Sequence, residues 1–242
     1  MDRILNLQFS MFGNFESIKP DSDITMKLLE NFQRDTFIPG TVDVAIIDAE
    51  SKKFETKSRL QLFSKDKSWG IVFLQERIDL NYYHTDDSKI YSEIEDVFAY
   101  ARELIDRVCK VFPKEQGNRL AVNGKFLLLK MSVEDRRRFI YRFSNPLNID
   151  NTSEISEWKI KTNTPSFVEL EDQRNEKCNK LIKMGDCLFT ENDKQERRML
   201  ISLDINTIFE DNEFRFVLKD LKSFSKNAEE WMNKALEEIE RG

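Results

Sequence analysis

The chain has 242 residues, 40% of them hydrophobic and 34% charged, with 44 acidic against 38 basic side chains and a net charge of −6. Nineteen Phe supply material for a sizeable core, and only 7 Gly and 5 Pro argue against disorder, collagen-like repeats and loop-rich scaffolds. The acid excess disfavours a surface given over wholly to nucleic acid, though it leaves room for a local basic face.

Cys109, Cys178 and Cys187 are odd in number and lack metal-like spacing, so reduced thiols are expected rather than a disulfide framework. The first residues lack a basic segment leading into an apolar run. No window approaches the roughly 18 apolar residues of a membrane span. A cytoplasmic location is therefore expected.

Alternation over residues 4–12, with Leu5, Leu7, Phe9 and Met11 on one side and Asn6, Gln8 and Ser10 on the other, predicts a strand. "DSDITMKLLENF" follows with helix-start signals and Ile24, Leu28, Leu29 and Phe32 along one side. Four strand-like runs come next, at 42–47, 55–63, 69–75 and 77–84, forming an antiparallel meander. Residues 88–112 keep apolar positions at helical spacing and predict a long helix, stopped by Pro113 and Gly117.

The order then repeats. A strand is expected over 118–130 and a helix over 132–143 opened by a Ser132-x-x-Asp135 capping pattern. Strand-like runs follow at 154–162, 166–172, 177–189 and 197–209, and a last helix at about 219–240. The pattern predicts an α+β fold of two similar β-α-β-β-β-β-α halves, residues 1–116 and 117–242, with antiparallel sheets each covered by a long helix. The halves would be two domains or one continuous pseudo-symmetric one.

"IDLN" at 78–81 and "LDIN" at 203–206 stand 125 residues apart, each in the last strand before a closing helix. In a half-buried sheet alternate side chains face opposite ways. Ile78, Leu80 and Tyr82 would then point inward, leaving Arg77, Asp79, Asn81, Ser202, Asp204 and Asn206 as a polar set on the opposite face. That set is the preferred binding surface, weighed against ordinary outward residues of two strands. If the two strands adjoin, the two acids meet at a shared cleft.

"SRLQLFSKDKSWGIVFLQERIDLNYYH" before an aromatic-rich helix, "NRLAVNGKFLLL" in mid-chain and "LISLDIN" before a terminal helix together resemble a family of uncharacterised bacterial proteins of similar length and sporadic distribution. That family's mid-chain segment tends to read Arg-x-Gly-x-Arg-Tyr-x-Asn, where this chain has Arg119-Leu120-Ala121-Val122-Asn123-Gly124-Lys125-Phe126. The resemblance implies a gene carried on mobile or defence islands and fixes no activity or site residue.

No catalytic signature emerges. His84 is the sole histidine and cannot by itself build a His-based zinc site; it ends a strand before acidic turn residues. Asp48, Glu55 and Lys57 match the Asp, Glu-x-Lys arrangement that holds Mg²⁺ in nucleases, and Asp150, Glu157 and Lys159 match it again. Two hits show how readily exposed strands produce the pattern. Lys130, Arg136, Arg137, Arg138 and Arg142, interleaved with Tyr141 and Phe143, form the densest basic segment and are the nucleic-acid candidate, set against a solvated helix side. Isolated glycines make the common ATP and dinucleotide loops unlikely, and no cofactor or metal is called for.

On these grounds the expected function is a non-catalytic binding or interaction protein, an accessory or regulatory component of a bacterial defence or mobile-element system. Its partner would be a protein, or a second copy anchored by Trp231 and Met232 on the terminal helix. The alternative is a nucleic-acid binder or Mg²⁺-dependent nuclease. No membrane partner is expected.

Overall fold

Apolar alternation sets the centre of the molecule. In the computed structural model, which describes residues 1–33, 36–47, 54–85, 91, 93–144, 157–191, 194–210 and 213–241, Leu7, Phe9 and Met11 of β1 (Arg3–Gly13) are fully buried. The strand departs from simple alternation at its start. A register shift between Ile4 and Asn6 moves Ile4 rather than Leu5 into the core, because a bulge inserts one residue and flips the side that follows.

Helix α1 (Ser22–Phe32) begins where Asp21 accepts a hydrogen bond from the Ile24 amide at 2.8 Å, and it buries Leu28 and Phe32. The meander follows as β2 (Ile38–Ile47), β3 (Phe54–Phe63), β4 (Trp69–Phe73) and β5 (Arg77–Tyr83). Helix α2 (Ile94–Val111) buries Val97, Phe98, Ala101, Leu104, Ile105 and Val108 at the predicted spacing. The remainder comprises β6 (Gln116–Leu127), α3 (Val133–Ser144), β7 (Lys159–Glu169), β8 (Asn175–Glu191), β9 (Lys194–Thr207), β10 (Phe216–Val217) and α4 (Leu218–Arg241). At the start of α3, Ser132 Oγ accepts from the Asp135 amide at 3.1 Å, as the capping pattern predicts, while the Ser132 hydroxyl donates to the Asp135 carboxylate at 2.6 Å.

The strands form one antiparallel sheet in the order β2-β3-β4-β5-β1-β6-β9-β8-β7, with β10 beside β6. Separate sheets for the two halves are therefore replaced by a continuous one, joined where β1 pairs with β6. The predicted runs at 154–162 and 166–172 are also not two strands. Residues 159–162 and 166–169 belong to the single strand β7, which passes through Pro165. A proline lacks the N–H that an interior strand needs, but among the described residues β7 ends the sheet and pairs with β8 alone.

Helices α2 and α4 lie together over the central strands. Arg102 pairs with Glu229, Lys222 reaches Asp106 at 2.6 Å, and Asn233 donates to Glu95 at 2.6 Å. Beneath them Phe9 meets Phe98 edge to face at 5.0 Å. Burying each such side chain contributes on the order of 1.5–3 kcal/mol. The alternate side chains of the central strands turn away from the helices and make up the outer face of the sheet.

Candidate functional site

Antiparallel register converts alternation within strands into rows across them. On the outer face, Tyr83, Asn6, Lys125, Ser202, Lys183 and Lys161 form one row through β5, β1, β6, β9, β8 and β7. The next row holds Asn81, Gln8, Asn123 and Asp204, and the third Asp79, Ser10, Ala121 and Asn206. All six members of the predicted polar set thus share this face, with Arg77 opposite Phe12 and Ser202 in the lysine-bearing row.

Their accessibility differs from expectation. Asp79 is only 3% exposed, and Asn81 and Asn206 are also buried, because short side chains on central strands are hemmed in from both sides. The two acids do not meet at a shared cleft. Strands β1 and β6 stand between β5 and β9, which separates Asp79 from Asp204 by roughly 14 Å across the sheet at the usual strand spacing, in addition to their offset of one row along it.

Each acid has local partners. Ser10 Oγ donates to Asp79 Oδ1 at 2.6 Å, and Arg77 Nε sits 2.8 Å from Oδ2. Burial pushes the Asp79 carboxyl above its ordinary value, with the Ser10 hydrogen bond and the Arg77 charge pulling the other way. Asp204 accepts from Asn206 Nδ2 at 2.8 Å, and Asn123 Nδ2 donates to Gln8 at 3.0 Å across the β1–β6 seam.

At the β7 end of the face lies a cavity of about 500 Å³, lined by Lys125, Lys159, Lys161, Lys183, Leu200 and Ser202, with the backbone around Gly185 beneath. Gly185 is required there: a Cβ would lie 2.8 Å from the Trp158 carbonyl oxygen and 2.9 Å from Lys159 Cγ. Lys159 pairs with Glu157 at 2.9 Å. Lys125, Lys161 and Lys183 make no ion pair or side-chain hydrogen bond among the described residues. Asp186 also borders the cavity, but its carboxylate is gripped by Arg136 from α3, with Nε 2.9 Å from Oδ1 and a second contact from the guanidinium to Oδ2. That fork neutralises the nearest acid.

The other sequence candidates fall elsewhere. Arg136 is buried against Asp186, Arg137 and Arg138 both approach Glu134, and Arg142 donates to the Ile239 carbonyl while lying over Phe139 and Phe143. Lys130 pairs with Glu196 at 2.6 Å. The basic segment is therefore dispersed into separate contacts. Asp48 and Asp150 lie outside the described residues; Lys57 sits 3.8 Å from Glu55 and 3.5 Å from Glu16. Among the described residues no three His, Cys, Asp or Glu side chains come together to hold a metal. The His84 amide donates to the Leu5 carbonyl. On α4, Met232 is fully buried and Trp231 packs against the core, so Met232 is a core residue and not an exposed anchor. The three cysteines are free thiols, with burial pushing Cys109 up to about 11. Among the described residues no helix is long and apolar enough to cross a membrane.

Compared with family models, curated proteins and solved structures, the chain matches none. Reasoning from sequence missed the lysine cavity altogether. The signal available was alternation: Lys159 and Lys161 on β7 and Lys183 on β8 occupy outward positions of their strands. What joins them is the register between β7, β8, β9 and β6, which no local pattern encodes.

Proposed function

We propose that the protein is a non-catalytic binding protein that recognises its ligand on the outer face of the sheet. One observation carries this: an unbroken row from Tyr83 to Lys161 crosses six strands on the side turned from the helices and runs into a cavity of about 500 Å³. A concave site with a few convergent polar groups is where ligands commonly seat. Asn6 Oδ1, opposite Lys125 in that row, is buried without a hydrogen-bond partner among the described residues, as is Arg119 Nε on the same face. An accessory or regulatory component of a bacterial defence or mobile-element system, the setting implied by the family resemblance, suits a binder of this type.

The duplicated-unit reading accompanies the proposal. Strand β5, carrying "IDLN", flanks β1, while β9, carrying "LDIN", flanks β6, so the two motifs bracket the central seam on the same face. Each half contributes one flank of the binding surface.

Lysine footprinting tests the outer face. The protein is acetylated in native extract and again after purification, and modified lysines are read by mass spectrometry. Lys125, Lys161 and Lys183 should be protected in extract, while Lys27 on α1 and Lys234 on α4, both exposed, react equally in both samples. Protection confined to the helix side would rule out the outer face as the binding surface.

A further inference from the structure

The geometry points to a small molecule carrying two or more adjacent phosphate groups as the occupant of the cavity bounded by Lys125, Lys161 and Lys183. This deepens, and rests on, the assignment of the outer face as the binding surface. Lys161 and Lys183 are direct cross-strand partners. Side chains so placed have Cβ atoms about 4.5–5.5 Å apart, where like charges destabilise the pair. Lys125 lies across β9 from Lys183, about 10 Å away at two strand spacings. Among the described residues these three ammonium-bearing side chains have no acid partner, in a chain whose net charge is −6. The one acid at the cavity's border, Asp186, is already taken by Arg136.

A singly charged anion would offset one lysine and leave the repulsion between the others. Several linked negative charges, spread over about the separation of the lysines, engage all three. Lysine suits phosphate as a mobile point charge with three donors. Ser202, between Lys125 and Lys183 in the row, adds a hydroxyl, and Leu200 supplies apolar wall for the rest of the ligand. The cavity volume falls in the range of small-molecule sites.

The test uses the full chain at fixed ionic strength, with thermal unfolding and calorimetric titration against inorganic tripolyphosphate, inorganic monophosphate, citrate and an oligo-dT strand. Tripolyphosphate should raise Tm and bind at least tenfold more tightly than monophosphate or citrate. Lys161→Gln and Lys183→Gln should each weaken tripolyphosphate at least tenfold. Both should also raise the Tm of the ligand-free protein by relieving repulsion, a gain that a folding defect does not mimic. Failure of tripolyphosphate to bind, undiminished binding by Lys183→Gln, equal binding of citrate, or tighter binding of oligo-dT would each overturn the assignment. If tripolyphosphate fails while footprinting still protects the outer lysines, the binding face stands and the phosphate assignment alone falls.

Discussion

Asp79 on β5 and Ser10 on β1 are directly opposed in the ladder, and the Ser10 hydroxyl donates to the Asp79 carboxylate at 2.6 Å in a nearly solvent-free position. Burial still outweighs that bond and the neighbouring Arg77, so the carboxyl is held above its ordinary value. The folded chain therefore keeps the Asp79 proton more firmly than the unfolded chain does. Its contribution to stability is complete below the ordinary carboxyl value near pH 4 and is lost as pH rises through the elevated one. Asp79→Asn should accordingly raise Tm at pH 7 by roughly 1–4 °C, with the advantage fading below about pH 4. Thermal unfolding of both proteins across pH 3–8 is the check; a Tm that drops at pH 7 would mean that the Arg77 ion pair outweighs burial.

Among the arginines of α3, Arg136 and Arg138 stand at opposite extremes. Arg136 is buried and grips Asp186, whereas the Arg138 side chain is 73% exposed beside Glu134. Removing one member of a buried pair strands the other charge. Arg136→Ala should then cost about 3–5 kcal/mol, while Arg138→Ala should stay within about 0.5 kcal/mol. Urea unfolding measures both. Arg136→Ala also frees a carboxylate at the cavity's border, so tripolyphosphate should bind it more weakly even at temperatures where the variant is fully folded.

How far the sequence reaches is clearest in β5. Alternation correctly sends Ile78, Leu80 and Tyr82 into the core and places Asp79 and Asn81 opposite, since a strand's two sides are a local property. It does not foretell that Asp79 is buried, because that depends on the neighbours β1 and β4, brought in from distant chain segments. Long helices are legible for the same local reason: α2 and α4 carry their apolar positions at helical spacing. Leu5 and Ile4 exchange sides because a bulge depends on the partner strand, and the expected gap between the runs 154–162 and 166–172 closes because β7, at the end of the sheet, tolerates Pro165. The lysine cavity belongs to this second class, being a product of register.

Gly185 links the cavity to the sheet's last pairing. It is the Cα partner of Lys159, and any Cβ would press on the Trp158 carbonyl oxygen, which also accepts from the Asp186 amide at 3.1 Å. Gly185→Val should push the start of β7 away from β8 and cost about 1–3 kcal/mol by overpacking. In the folded fraction it should also halve or further reduce tripolyphosphate affinity, since Lys159 and Lys161 shift with the strand. Urea titration and calorimetry separate the two effects.

The seam between β1 and β6 governs whether the halves stand alone. β1 is paired along most of its length on both sides, with β5 from its own half and β6 from the other, and α4 packs on β1 as well as β6. Residues 1–116 by themselves would expose the β6-facing edge of β1 and lose the packing of α4 on β1 and α2, leaving a long apolar-backed edge open to other chains. That fragment should therefore aggregate or remain unfolded, and the full chain should unfold in a single urea transition by both circular dichroism and tryptophan fluorescence. Two transitions in the full chain, or cooperative unfolding of soluble 1–116, would instead show each half to be stable by itself. A fragment that folds only when mixed with 117–242 would locate the missing stability in the β1–β6 pairing and the α2–α4 contacts that the cut removes.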